Sequence, residues 1–434
     1  MLFVILPNQL LDIQYLDKKY EYLVWEHPHY FEDYNFNKKK LMLHRASMQY
    51  YFDLLKKKKF KVKYLEYDEK FKEKEFHLFD PVNSLETLKL DKYDCTIIDT
   101  PNFLLTNADY DEYREKTKNF FFNYFYMWSK KKLDIIPTVK SLDKMNRKKM
   151  PKNVKIPELP KNVNDKNEQE YIDEAKQYVD KKFKNNYGNT ENFVFPITHD
   201  TAKKWLKYFI KYKFSKFGDY QDYIDKEHEF LFHSVLSSSI NVSLLNPGEI
   251  IEEIEKIKDT IPINSYEGYV RQLFWREYQR LCYKYYNFKN KNYFGNKKKL
   301  TKDWYTGNLG IPPVDDAIKT AFDTGYLHHI NRLMVVGNFM NLSEIHPMEG
   351  LKWFMEFAID SYEWVMYQNV LDMVFFVTGG DTMRRPYMSS SNYVLKMSNY
   401  SRGEWCDEWD KAYYDFIKKN KDNLHKYRYF IRIK

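Results

Sequence analysis

The chain has 434 residues, 43% of them hydrophobic and 18% aromatic, and its 70 Lys and Arg exceed its 61 Asp and Glu by nine. That length supports two or three domains around a large buried core. No apolar run approaches the length that spans a bilayer, and the wide spacing of Cys95, Cys282 and Cys406 argues against a disulfide framework or a structural zinc site.

The chain opens on MLFVILPNQLLDIQ. It lacks the basic start and small-residue cleavage site of a signal peptide. Leu2–Leu6 therefore reads as a buried strand, and a soluble protein of the cytoplasm or nucleus is expected. The richness in Lys, Asn, Tyr, Phe and Ile suits an AT-rich genome, including a viral one. The net charge thus permits a polyanionic partner without proving one.

Further strands are predicted at Tyr22–Trp25, Phe60–Leu65 and Cys95–Ile98. Leu41, His44, Met48, Tyr51 and Leu54 give helical spacing over Leu41–Leu55. Strand–helix–strand alternation predicts an α/β domain over residues 1–130, built on a parallel sheet. No GxGxxG follows the first strand, so the ordinary dinucleotide fingerprint is absent. Residues 131–190 contain KSLDKMNRKKMPKNVKIPELPKNVNDKNEQE, which has little periodicity and reads as an interdomain linker. Residues 191–434 read as an all-α domain.

Four stretches of the helical half carry polar groups in patterns suited to a site. In FHSVLSSSINVSLLNPGEI, Ser234, Ser237, Ser238 and Ser239 offer phosphate ligands, although a serine-rich cap without a ligand is the commoner case. In EGYVRQLFWREYQRL, Gln272, Trp275, Arg276 and Glu277 fit either a stacking surface or an amphipathic helix with a surface Arg–Glu pair. In GYLHHINRLMVVGNF, His328, His329 and Arg332 share about one turn, an arrangement that can supply a general acid near neutral pH. His328 and His329 should point to different helix faces, which argues against a metal site. Trp353 and Asp360 lie two turns apart, and Arg332 could pair with Asp360.

In this order the motifs resemble the photolyase/cryptochrome superfamily over nearly the whole chain. HSVLSSSI is similar to its flavin phosphate loop, QLFWREY to its ELIWREF segment, and WYTGNLGIPPVDDAI to its WxxGxTGxPxVDAxM segment. GYLHHINRLMVVGNF, RRPYMSSSNYVLKMSNY, FGDYQDYI and DKMNRKKMP are most similar to the iron–sulfur bacterial branch, which contains (6-4) photolyases.

The resemblance implies a Rossmann-like antenna domain followed by a helical FAD domain, and light-driven repair of UV-damaged DNA. FAD would lie near Tyr220, Ser234, Leu236 and Ser237. Gln272, Trp275, Arg332, Asn338, Asp360 and Asn369 would line the flavin and lesion pocket. His329, with His328 beside it, matches the histidine that moves a proton on a (6-4) lesion. Tyr387 and Tyr393 match lesion-facing tyrosines. Trp353 would pass electrons to the flavin, with Trp304 or Tyr305 extending the path. A lumazine-type antenna pigment is a further expectation, with Glu26 as its pocket carboxylate. A monomer is expected.

The sequence departs from the branch where four cysteines would hold the cluster. Those positions fall on Pro313, Ser401, Glu404 and near Ile417, so no iron–sulfur cluster is expected and the aromatics around Trp405, Trp409 and Tyr413 should pack that region instead. The residue expected beside flavin N5 falls on Met366, and Gln272 replaces the glutamate of cyclobutane-dimer enzymes. Two other readings stay open: a cyclobutane-dimer photolyase, and a blue-light receptor that does not repair DNA.

Overall fold

A computed structural model describes residues 1–160, 165–429 and 431. Residues 161–164, inside the expected linker, lie outside the described residues. Five parallel strands form the amino-terminal sheet: β1 (Leu2–Ile5), β2 (Glu21–Trp25), β3 (Lys61–Leu65), β4 (Glu75–Phe79) and β5 (Asp94–Ile98), in the order β3-β2-β1-β4-β5. Phe3, Val4 and Ile5 of β1 are buried, as expected for the middle of a parallel sheet covered on both faces. Phe3 is in register with Tyr22 on one side and His77 on the other. Four strands lie where the sequence predicts them. β4 is an addition, inserted between β1 and β5 with Phe76 and Leu78 buried.

Helix α1 (Lys38–Lys57) covers the sheet and contains the predicted helix. Its cap, Asn37, accepts from the Lys39 N–H at 2.9 Å and donates to the Phe322 carbonyl at 2.9 Å, pinning the start of α1 to the helical half. After α2 (Asn107–Lys116) and α3 (Phe122–Leu133) comes α4 (Lys166–Lys182), which lies within the stretch expected to be a linker. Asp165 and Glu168 form a capping box at its start, and Ile172, Ala175 and Val179 give it one buried stripe against α1. α4 also seals Glu26. That buried carboxylate accepts from Arg45 at 2.9 Å, Tyr64 at 2.6 Å, Tyr178 of α4 at 2.8 Å and the Tyr67 N–H at 3.3 Å.

The helical half contains α5 (His199–Tyr212), α6 (Phe214–Tyr220), α7 (Ser237–Asn241), α8 (Pro247–Glu255) and α9 (Ile263–Tyr285). It continues with α10 (Asp303–Thr306), α11 (Pro312–Thr324), α12 (Asn338–Leu342), α13 (Pro347–Phe357), α14 (Glu363–Met366), α15 (Ser391–Met397) and α16 (Glu404–Lys419). Two π-helical stretches, Asn331–Gly337 and Tyr367–Val374, pack together. Gly337 makes their approach possible, since a Cβ there would meet the Val374 side chain at 2.8 Å. Among the described residues no helix is long and apolar enough to cross a membrane.

The Arg276–Glu277 pair is not at the surface. Arg276 donates to the Asn102 carbonyl at 2.7 Å. Glu277 accepts from the Leu104 and Leu105 N–H groups at 3.0 and 3.2 Å and from Tyr110 at 2.8 Å. α9 thereby clamps the loop after β5. Glu277→Gln places an amide donor against these donors and should cost about 1–3 kcal/mol in urea unfolding. An unchanged midpoint would show that the clamp contributes nothing to stability.

At the carboxyl end, Trp405, Trp409 and Tyr413 of α16 are buried. Trp409 packs on Phe339 of α12 with ring centroids 5.1 Å apart and donates to the Ser389 carbonyl at 3.0 Å. Cys406 is buried beside them as a free thiol.

Candidate functional site

A cavity of about 380 Å³ opens into the helical half, a size typical of cofactor and ligand sites. The serine loop before α7 forms one wall, α9 a second, and the two π-helical stretches a third. π-helical turns widen a helix by one residue and recur at functional sites. The serine loop is itself constrained: Val235 holds a φ of +56°, which is unfavourable for a β-branched residue.

The floor is an ion pair. Arg332 donates to both carboxylate oxygens of Asp360, at 2.9 and 3.1 Å, and to the Leu327 carbonyl at 2.7 Å. Burial pushes the Asp360 carboxyl up, but the Arg332 guanidinium and the Ser237 hydroxyl outweigh it and hold it below the usual carboxylate range. Asn241 donates to the Asp360 carbonyl at 2.9 Å and accepts from Arg276 at 3.0 Å, which links the floor to the α9 clamp.

Above the floor, three imidazoles converge. His233 stacks on His328 at 4.8 Å with planes 10° apart, and His329 stands edge-on to both. Their nearest ring nitrogens lie within 4.8 Å of one another. The expectation that His328 and His329 diverge misses this, because His233 arrives from the serine loop and closes the group. Burial, reinforced by the neighbouring imidazoles and cationic side chains, holds His233 and His328 well below the usual histidine range. Among the described residues, His233 Nε2 and His328 Nδ1 have no hydrogen-bond partner. His329 differs. Its side chain is 38% exposed, and Nε2 lies 3.0 Å from Asp222 Oδ1.

At the mouth, charges alternate. Asp143 pairs with Arg147 and, at 3.3 Å, with Arg271; Arg147 reaches Asp222 at 3.5 Å. Tyr387 lines the same rim. Arg147 begins the basic run RKKMPKNVK, so part of the expected linker folds back onto the entrance.

Of the residues singled out from sequence, the cavity wall includes His328, His329, Tyr387, Ser234, Leu236, Ser237, Gln272, Trp275, Arg332, Asp360 and Asn369. Trp275 stacks on Phe122 at 3.7 Å, and Gln279 orients Asn369 through a 2.7 Å hydrogen bond. Met366 is on the wall as well. Five residues lie off it. Tyr220 packs with Tyr223, Leu231 and Phe232 against Met150, Val154 and Ile156. Asn338 is buried and bonds Ser389, donating to its carbonyl at 3.0 Å. Trp353 stands one ring behind the wall residue Phe354, at 5.1 Å, and donates to the carbonyl of buried Trp304 at 2.7 Å. Tyr393 is near enough to the rim for Asp222, Arg147 and Asp143 to act on its hydroxyl, although burial is the larger influence raising its pKa.

Sequence reasoning passed over Asp143, Arg147, Asp222, His233 and Asn241 as individuals. Each is a lone polar residue in a loop or short helix, and only the fold brings them together. The one available signal for His233 was its place directly before Ser234 in the serine stretch.

Residues 3–195 match the family described as deoxyribodipyrimidine photo-lyase-related protein, and residues 269–418 match the FAD binding domain of DNA photolyase. A (6-4) photolyase of Agrobacterium fabrum is 30% identical over 344 residues, covering 74% of this chain and 67% of that protein. The fold is similar to a bacterial class III photolyase from Agrobacterium tumefaciens, with a TM-score of 0.55 at 14% identity, covering 91% of this chain and 86% of that one. It is also similar to an archaeal photolyase from Sulfolobus tokodaii that holds two FAD molecules, with a TM-score of 0.52 at 12% identity over 98% of this chain and 90% of that one.

Proposed function

Because the chain belongs to the photolyase family, we propose that its cavity binds FAD and works in light on UV-damaged DNA, with the (6-4) photoproduct as the preferred lesion. The observation that carries the lesion preference is the imidazole group, with His329 half-exposed and backed by Asp222 at the cavity mouth.

The residues fit a flavin dinucleotide. Serine-loop hydroxyls of Ser234 and Ser237, the Arg332–Asp360 pair and the flat face of Trp275 supply polar and stacking partners. The unpartnered nitrogens of His233 and His328 need a ligand or water to bond. When bound, the flavin supplies the photoexcited electron that cleaves the lesion and recovers it afterwards. The protein's part is placement. Arg332 and Asp360 hold the floor rigid through two parallel hydrogen bonds. His233 and His328, kept neutral by burial, leave His329 as the imidazole able to hold a proton at Nδ1 or Nε2 beside the Asp222 carboxylate. The damaged step enters by leaving the base stack, which is easiest where pairing is already disrupted. Arg147 and the lysines that follow it would hold backbone phosphates without reading sequence.

Two further points belong to the same reading. The chain has no cysteine at Pro313, Ser401, Glu404 or Ile417, and aromatic packing around Trp409 would replace a cluster. Glu26 is fully engaged by Arg45, Tyr64, Tyr178 and Tyr67, so a lumazine-type pigment at that carboxylate would have to displace α4. Any antenna pigment would sit elsewhere.

The test is to purify the protein with its flavin, reduce it, and illuminate oligonucleotides carrying each lesion. Repair of the (6-4) lesion is expected. Repair of cyclobutane dimers alone would overturn the preference, and repair of neither would favour a light receptor. An iron assay on the same sample should give less than about 0.1 iron per chain; about four would restore the cluster.

A further inference from the structure

The loop that carries Asp360, between α13 and α14, is held by the other half of the chain. Asn37, Lys40 and His44 share one face of the first turns of α1. The Asn37 N–H donates to the Glu356 carbonyl at 2.6 Å. The Lys40 ammonium donates to the Ser361 hydroxyl at 3.0 Å and also to the Ser361 carbonyl. His44 Nε2 lies 2.9 Å from the Tyr362 hydroxyl. On the near side of Asp360, the Ile359 N–H donates to the Gly325 carbonyl at 2.9 Å. The Ser361 hydroxyl closes the turn on the Ala358 carbonyl at 2.7 Å.

Lys40 is the unusual member of this face. It is 1% exposed, and its ammonium lies over the rings of Phe36 and Tyr362 at 4.3 and 4.8 Å. Burial pulls its pKa down and the Asp360 carboxylate pushes back. An apolar side chain would serve packing alone, since a buried ammonium costs free energy unless its contacts compensate. What the ammonium adds is two hydrogen bonds to a single residue, the one that follows Asp360. Arg332 therefore holds the Asp360 carboxylate while Lys40 holds the backbone beside it.

We propose that Lys40 is a positioning residue for the cavity floor: by fixing Ser361 it sets Asp360 against Arg332, so that the sheet half of the chain governs how tightly the cavity holds its dinucleotide. The inference rests on the flavin reading of the cavity.

The test titrates FAD onto the unloaded full chain and records visible circular dichroism of the bound flavin at saturation. Lys40→Met, which keeps the apolar stem, should weaken FAD about 10-fold, the lower range of a charged hydrogen bond. It should also change the flavin dichroism at saturation, because the floor has moved. In a Ser361→Ala background, where one of the two acceptors is gone, the same substitution should cost only about threefold. If Lys40→Met does not fold, Lys40→Gln, which keeps a donor without the charge, takes its place with the same directions. A lowered urea midpoint with FAD affinity within about twofold of wild type, or with wild-type dichroism at saturation, would make Lys40 a packing residue and overturn the proposal. An undiminished effect in the Ser361→Ala background would overturn it as well. Wild type that binds no FAD would instead remove the flavin reading, and this inference with it.

Discussion

His329→Ala is expected to lower (6-4) repair by at least about 100-fold, the lower range of general acid–base contributions, while the protein keeps its FAD. The asymmetry among the three imidazoles is the reason. His233 and His328 are enclosed and uncharged. His329 has both access and a carboxylate partner, and its mouth position keeps it clear of the Arg332–Asp360 floor. Asp222→Asn should retain part of the activity, because an amide can still hold the His329 ring but no longer gives it a charged partner. Single-turnover repair of a lesion-bearing oligonucleotide measures both. Full activity in the alanine variant would leave the cluster a packing feature.

The second large effect is on stability. Asp360→Asn leaves the Arg332 guanidinium beside a neutral amide in a buried position, and losing one partner of such a pair costs about 3–5 kcal/mol. The urea midpoint should fall accordingly, and FAD should be lost on purification. The pair also has a pH signature. Asp360's folded pKa lies below its unfolded value near 4, so its contribution is present above that value and fades as pH falls through the folded one. In wild type the extra stability should therefore weaken in acid below pH 4, and in Asp360→Asn that segment of the curve should flatten. A midpoint within about 0.5 kcal/mol of wild type, the ordinary surface range, would show that the floor is not held by charge.

Much of the sheet is legible in sequence because β1 and β2 are largely apolar runs and β3 alternates Lys61 and Lys63 with Val62 and Tyr64. β4 is not, since EFHLF follows the charged run KFKEK, which masks the core residues Phe76, Leu78 and Phe79. α4 is hidden for the same reason. Its 17 residues are mostly charged, and the three-residue stripe that docks it on α1 is too sparse to stand out. The residues that the sequence pattern groups together, Ser234 with Ser237, Gln272 with Trp275, and Arg332 with Asp360, are ones the fold also brings to the cavity wall. The cavity was read poorly where a residue's meaning depends on another element. Asn338 sits in a convincing motif but spends its amide on Ser389. His233 gains its significance only from His328, about 95 residues away in the chain. The π-helical register of the cavity walls is set by packing and is not distinguishable in sequence from ordinary helical spacing.

One feature of α9 bears on how the two halves of the chain could ever come apart. Gln272 and Trp275 face the cavity, while Arg276 and Glu277, on the next residues, grip the loop after β5. A single rigid rod is thus at once a wall of the reaction chamber and the latch of the sheet. Severing the peptide link between the halves would leave this latch in place. The halves should behave as complementing fragments, and a disturbance at the sheet would be felt in the chamber as a displaced wall.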